Sequence, residues 1–138
     1  MRTLNLIAAL GLLAQRSSLS GTQVRFRSRH EMPPVIELKV RNHLYRIAQE
    51  ALQNSLKHSG AKHIDIELSS GPGVLRLSVI DDGHGLAANI DSHSGLGMRT
   101  MRFRASAIGG RLSISRGTDG GNSVVCEVQT KTVLAATA

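Results

Sequence analysis

Between Glu37 and His58, Leu44, Ile47, Ala48, Ala51, Leu52 and Leu56 recur on one side of a helical period. Ser59-Gly60 ends that helix, and two alternating segments joined by Gly71-Pro72-Gly73 follow at once. A helix that feeds directly into a hairpin narrows what the chain can become. His63 to Ser69 carries Ile64, Ile66 and Leu68 on one side, and Val74 to Ile80 sets Leu75, Leu77 and Val79 against Arg76 and Ser78. Segments joined by so short a turn pair antiparallel. They are not part of the βαβα alternation that builds a parallel nucleotide-binding sheet.

The flanking sequence extends the pattern. Leu6, Ala9, Leu10 and Leu13 predict an amphipathic helix from about Leu4 to Arg16. Thr22 to Arg29 alternates as a strand, and Met32-Pro33-Pro34 breaks the chain. Asp81 to Gly97 is a glycine-rich loop, Met98 to Ile108 a helix stopped by Gly109-Gly110, and Arg111 to Arg116 and Ser123 to Thr130 two more strands. Hairpins with helices between them predict an α+β fold: a two-layer α/β sandwich whose mixed, mainly antiparallel sheet carries helices on one face. The expected division is a helix in residues 1–20, one domain over 21–132 and a frayed tail at 133–138.

Composition sets the material of the core and the class of ligand. Of 138 residues 41% are hydrophobic, yet Phe26, Tyr45 and Phe103 are the only aromatic ones, so the core must be aliphatic. The formal charge of +7 comes from 17 basic and 10 acidic side chains, scattered except for Arg99, Arg102 and Arg104. Nucleic-acid binders cluster their cations and add stacking aromatics, so this pattern suits a small phosphate-bearing ligand better. Cys126 stands alone, which excludes an internal disulfide and a cysteine metal site; it reads as a small buried hydrophobe. The start, MRTLNLIAALGLLAQ, has the basic beginning and short apolar run of a signal peptide. The run is too short to span a bilayer and no clear cleavage site follows. It reads instead as a helix packed on the domain, without membrane contact.

Three clusters carry potential chemistry. Glu50, Asn54 and Lys57 fall at i, i+4 and i+7, so a carboxylate, an amide oxygen and an ammonium share one helix stripe suited to magnesium and phosphates. Alone, that stripe is equally a solvated helix face. Asp81-Asp82-Gly83-His84-Gly85 ends a strand; its alternate glycines let the backbone approach a flat ligand, and a carboxylate there can accept a hydrogen bond from an exocyclic amine. Alone, it is an Asp-Gly turn. Gly95 and Gly97 precede a helix whose free N–H groups and dipole form an anion site. Arg99 and Arg102 occupy its first turns, where acids are normally preferred; bound phosphate explains them, and a flexible loop before a surface helix is the plain alternative. The P-loop and Rossmann strings are absent.

Taken together, these clusters resemble the GHKL ATPase superfamily of gyrase, the heat-shock chaperone, histidine kinases and the mismatch-repair protein MutL. The helix with Glu50 and Asn54 looks like its N-box, DDGHG like the first glycine box, and Gly95-Leu96-Gly97-Met98 like the second. Gly121-Asn122-Ser123 resembles the Gly-Thr step that closes such sites, with Ser123 in the place of threonine. The strings YRIAQEALQNSLKHSGA and GLGMRTMRFRASAIGGRLSI are similar to histidine kinases of the NarX and DesK kind, and the likeness runs from about Gln23 to Thr130.

The resemblance implies a Bergerat fold that binds ATP with Mg2+ in the cytoplasm. Asp81 would meet the adenine amine. Asn54 would hold magnesium, and Glu50 would polarise the attacking group near the γ-phosphate. Lys57, His58 and Arg99 would contact phosphates. Gly83, Gly85, Gly95 and Gly97, with Leu96 and Met98, would shape the pocket and hinge a lid over Leu86 to Ser94. Ser123 would close the site. His84 and His93 read as plain loop residues. None of His30, His43, His58, His63, His84 or His93 sits in a phospho-acceptor setting, and Leu4 to Arg16 resembles the segment that follows the acceptor helices. The expected partner is therefore a histidine-bearing dimerisation domain, with a response regulator beyond it. A serine kinase of the anti-sigma-factor type and a non-catalytic nucleotide-binding module are the alternatives.

Overall fold

The computed structural model describes residues 3–18, 21–29, 36–83, 95–116 and 120–129, of which residues 3–5, 58, 59, 95 and 96 are described by backbone alone. Helix α1 (Thr3–Ser17) leads into β1 (Gln23–Arg29), followed by α2 (Leu38–Asn54). The hairpin β2 (His63–Gly71) and β3 (Val74–Asp81) comes next, then α3 (Gly95–Ala107), β4 (Arg111–Arg116) and β5 (Asn122–Gln129). This is the order expected from the sequence.

The strands form one sheet in the order β1-β2-β3-β5-β4. Only β1 and β2 pair in parallel; β2–β3, β3–β5 and β4–β5 are antiparallel. Register aligns the apolar residues across the strands. Val24 lies beside Ile64, Ile66 beside Val79, Leu77 beside Cys126, and Val79 beside Val124. These side chains form the face that receives the helices. On α2, Val40, Leu44, Ile47, Ala48, Ala51 and Leu52 are buried, the stripe read from the sequence. Leu6, Leu10 and Ala14 of α1 and Met101, Ala105 and Ile108 at α3 join the same core. Each buried Leu or Ile contributes roughly 1.5–3 kcal/mol through lost apolar contact with water. Helix α1 is thereby part of the domain core. No described helix is long and apolar enough to cross a membrane.

The other face carries no helix among the described residues and is laced by charge. Arg25 and Arg27 pair with Asp65 at 3.1 and 3.4 Å, Arg27 with Glu67 at 3.5 Å, and Arg76 with Glu127 at 3.3 Å. Pairs this exposed contribute little to stability; they explain why alternation on these strands is polar outward.

Two details shape the end of the sheet where the motifs lie. The second helix does not run unchanged to His58: it widens at Ser55–Ser59 into a π turn and stops at Gly60, whose φ of 65° a left-handed cap requires. At the far end of the hairpin, Asp82 closes β2 onto β3. Its Oδ1 accepts the backbone N–H groups of Lys62 (2.9 Å) and His63 (3.0 Å), and its Oδ2 meets His63 Nδ1 at 2.8 Å. The hydrogen bonds from the His63 backbone and ring, then that from the Lys62 backbone, hold the Asp82 carboxyl down at about 2, below its usual 3.8.

The closure is fully present above pH 3.8 and fades as pH falls toward about 2. Asp82→Asn is expected to cost about 1 kcal/mol at neutral pH, after discounting for an exposed carboxylate. It should also flatten the fall of the urea midpoint between about pH 4 and pH 2; an unchanged acid profile would contradict this role.

Candidate nucleotide-binding site

Asp81, the last residue of β3, carries the densest polar network in the described chain. It is only 5% exposed. Its Oδ1 accepts hydrogen bonds from Gly83 N (3.0 Å), Asn122 N (3.3 Å) and Asn122 Nδ2 (3.2 Å), and its Oδ2 accepts one from Ser55 Oγ at 2.6 Å. A carboxylate offers about four lone-pair directions. Three donors crowd Oδ1 and one meets Oδ2, so the acceptor capacity that remains lies on Oδ2. The donors arrive from three elements. Gly83 comes from the strand exit, Ser55 from the π turn, and Asn122 from the start of β5.

The backbone makes that convergence possible. A Cβ on Gly121 would collide with the carbonyl oxygen of Asp81, so only glycine lets β5 begin so close to the end of β3. Ser55 follows Ala48 and Ala51 on the apolar stripe of α2; it opens the π turn, is 5% exposed and is aimed at Asp81.

A narrow cavity of about 20 Å³ joins Asp81 to Asn54. Ala51, Asn54 and Ser55 line it from α2, Val79 and Asp81 from β3, Met98 and Met101 from α3, Ile114 from β4, and Asn122 and Val124 from β5. That space holds about one water molecule. Met98 and Met101, unbranched and adaptable, form part of its wall. Larger recesses lie elsewhere. One of about 500 Å³ lies between the Gly73 turn and Gly109–Arg111, and another of about 390 Å³ on the open face of the sheet. Of the expected site residues only Ser123 lines either of them, so residue chemistry rather than size selects the small cavity.

Glu50 is half-buried one turn before Asn54 and lies against the first turn of α3, where a Cβ on Gly97 would run into its Oε1. Asn54 is half-buried and makes no side-chain hydrogen bond among the described residues, which leaves its amide oxygen for a ligand.

The remaining expected residues distribute as follows. Gly83 is buried and donates to Asp81, and Met98 lines the cavity. Arg99 is exposed on α3. Lys57 is exposed on the π turn. Gly95 and Gly97 correct the sequence reading: they do not precede the helix but form its first turn with Leu96. The Leu96 and His58 side chains, Gly85, His84, His93 and the lid over Leu86 to Ser94 lie outside the described residues. Ser123 is also corrected. It pairs with Ile80 and lines the open face with Ser78. Strand alternation turns Ser123 away from Asp81 and turns Asn122 toward it.

Ser55 and Asn122 are thus the site residues that the motifs did not single out. Signals for both exist in the sequence. Ser55 interrupts the apolar line of Ala48 and Ala51, and Asn122 shares the parity of Val124, Cys126 and Val128.

Comparison with known proteins accords with this geometry. Residues 39–132 match the family described as histidine kinase-, DNA gyrase B-, and HSP90-like ATPase. The chain is 34% identical over 97 residues to the nitrate/nitrite sensor protein NarX of Escherichia coli, covering 70% of this chain and 16% of NarX. It is 44% identical over 71 residues to the sensor histidine kinase LiaS of Bacillus subtilis, covering 51% of this chain and 20% of LiaS. It therefore spans a fifth or less of these two relatives. Among solved structures, the histidine kinase domain of the Erythrobacter litoralis blue-light activated histidine kinase superposes with a TM-score of 0.75 at 22% identity, over 93% of this chain and 64% of that one. The ATP binding domain of PrrB from Mycobacterium tuberculosis superposes with a TM-score of 0.69 at 19% identity, over 87% and 90%. At these identities the superpositions speak for the fold.

The two close glycine contacts should respond differently to a methyl group. Gly121→Ala meets immovable backbone and is expected to cost about 1–3 kcal/mol. Gly97→Ala meets the end of a flexible glutamate and gains helix propensity, so it should change stability by less than about 1 kcal/mol. Urea denaturation of both variants checks this; equal losses would contradict it.

Proposed function

The chain belongs to the histidine kinase-, DNA gyrase B- and HSP90-like ATPase family, and on that premise we propose that it is the ATP-binding catalytic domain of a sensor histidine kinase. It would act in the cytoplasm, transferring the γ-phosphoryl group of ATP to a histidine on a separate dimerisation domain, from which a response regulator is phosphorylated. The observation that carries the reading is the single cavity lined by both Asp81 and Asn54.

The roles follow from the contacts. Asp81 is fixed by four donors and keeps acceptor capacity on Oδ2, which suits the exocyclic amine of adenine. Preorganisation of this kind costs nothing when the ligand arrives. Asn54 offers a neutral oxygen donor at the other end of the cavity, and Glu50 a carboxylate one helical turn away. No group of three or more potential metal-ligating His, Cys, Asp or Glu side chains occurs among the described residues. That donor set fits magnesium, which keeps several waters and shares its coordination with substrate phosphates. When bound, the ion would neutralise charge on the phosphates. Glu50 would then orient the incoming imidazole and hold its proton, and the N–H groups at the first turn of α3, with Arg99, would receive phosphate oxygens. Phosphoryl transfer asks mainly for positioning and charge neutralisation, which these residues can supply while a partner brings the nucleophile.

Asn54→Ala is expected to weaken magnesium-dependent ATP binding by at least about tenfold while far-UV circular dichroism stays unchanged. Calorimetry with and without magnesium reads this directly; wild-type affinity in the variant would remove the assignment of Asn54.

A further inference from the structure

The open face of the sheet holds a recess of about 390 Å³ that the nucleotide site does not use. The strand registers give its plan. Arg29 of β1, Ser69 of β2 and Arg76 of β3 lie in one row across the sheet. Arg27, Glu67, Ser78 and Val125 lie in the next. Ile80 and Ser123 stand side by side in the third. Side-chain length then shapes the surface. Short residues at the middle of β3 and β5 sink the floor, and the long arginines raise a rim on one side of it.

Three side chains in this recess have no task in the fold. Arg29 is exposed and joins no ion pair among the described residues, whereas Arg27 is held by Asp65 and Glu67 and Arg76 by Glu127. Ser78 lines the recess and is only 7% exposed, yet its hydroxyl has no hydrogen-bond partner among the described residues. A hydroxyl so buried normally has one. Ile80 leaves 39% of its surface in water on a face that is otherwise charged or small. Strand spacing puts the Arg29 and Arg76 backbones about 10 Å apart, with the short Ser69 between them. Both side chains line the same recess, so one anionic group can meet both.

We propose that this recess binds a small organic anion, a carboxylate carried on a flat apolar body. The carboxylate meets Arg29 and Arg76, the body covers Ile80 and Val125, and the Ser78 hydroxyl gains a partner between them. The volume falls within the range of small-molecule sites, about 300–1,000 Å³. The ligand class follows from what surrounds the arginines. A bare anion would leave Ile80 and Val125 in water. A polyanion such as nucleic acid would be repelled by Asp65, Glu67 and Glu127 on the same face. The site stands apart from the nucleotide reading, because none of its residues lines the cavity of Asp81 and Asn54. It lies directly behind that cavity: Ile80 and Ser123 are the chain neighbours of Asp81 and Asn122, turned to the opposite face of the sheet.

The probe is naphthoate, compared with its neutral counterpart naphthamide and with inorganic phosphate. Amide chemical shifts of the isotope-labelled chain should move with naphthoate at Arg29, Ser69, Ser78, Ile80 and Ser123, with a Kd below about 1 mM. Naphthamide, which lacks the charge, and phosphate, which lacks the apolar body, should each bind at least about tenfold more weakly. Arg29→Gln with Arg76→Gln should weaken naphthoate at least about tenfold while far-UV circular dichroism stays unchanged. Arg29→Gln alone, at an exposed residue without an ion pair, repeats the test should the double variant unfold. Absence of binding to the wild type overturns the proposal. So do shifts confined to the surroundings of Asp81, equal affinity for naphthamide or phosphate, or unchanged affinity in the variants.

Discussion

The buried carboxylate of Asp81 is the point at which sheet, helix and strand exit are tied together. A charge or polar group this buried is tolerable only when its lone pairs are met, and four hydrogen bonds meet them here. Each donor comes from a different part of the backbone. Ser55 comes from the apolar stripe of α2, Gly83 from the turn after β3, and Asn122 from beside the glycine at 121 that lets two backbones nearly touch. The network therefore does two jobs. It fastens β5 and the end of α2 to the central hairpin, and it holds the Asp81 carboxylate in one orientation, on which the proposed purine contact rests.

From that anchor the division of labour between the two layers follows. The sheet supplies a flat apolar floor and pairs most of its outer charges with one another. The helices supply polar groups along their edges: Glu50 and Asn54 on α2, the N–H groups and arginines of α3. The two helices meet at the first turn of α3, where Gly97 lies against Glu50. The cavity behind them is small, and Met98 and Met101 of α3 form part of its wall.

Much of this was legible in the sequence. Both periodicities were unambiguous in α2 and in the β2–β3 hairpin because each buries one face completely, and a residue that must be buried cannot vary its spacing. The grouping of Glu50, Asn54 and Asp81 followed from the resemblance of the three clusters. What escaped depends on fine geometry. Helical spacing assumed a uniform pitch, whereas the helix widens into a π turn at Ser55–Ser59, which carries Lys57. Gly95 and Gly97 suggested a loop because glycine disfavours helix interiors, yet both lie in the first turn of α3, where Gly97 packs on the Glu50 side chain. Ser123 was assigned by likeness to a Gly-Thr step, although strand parity already put Asn122 on the buried face. The arginine-rimmed recess was invisible in a net charge of +7 and became visible only once each cation had a face.

The central claim is that Asp81, held as an acceptor, selects a purine bearing an amine. Calorimetry of the wild-type chain with ATP and with its inosine counterpart, whose amine is replaced by a carbonyl oxygen, tests it without altering the protein. A site built around that hydrogen bond should favour ATP by at least about a hundredfold; equal affinities for the two nucleotides would contradict the account.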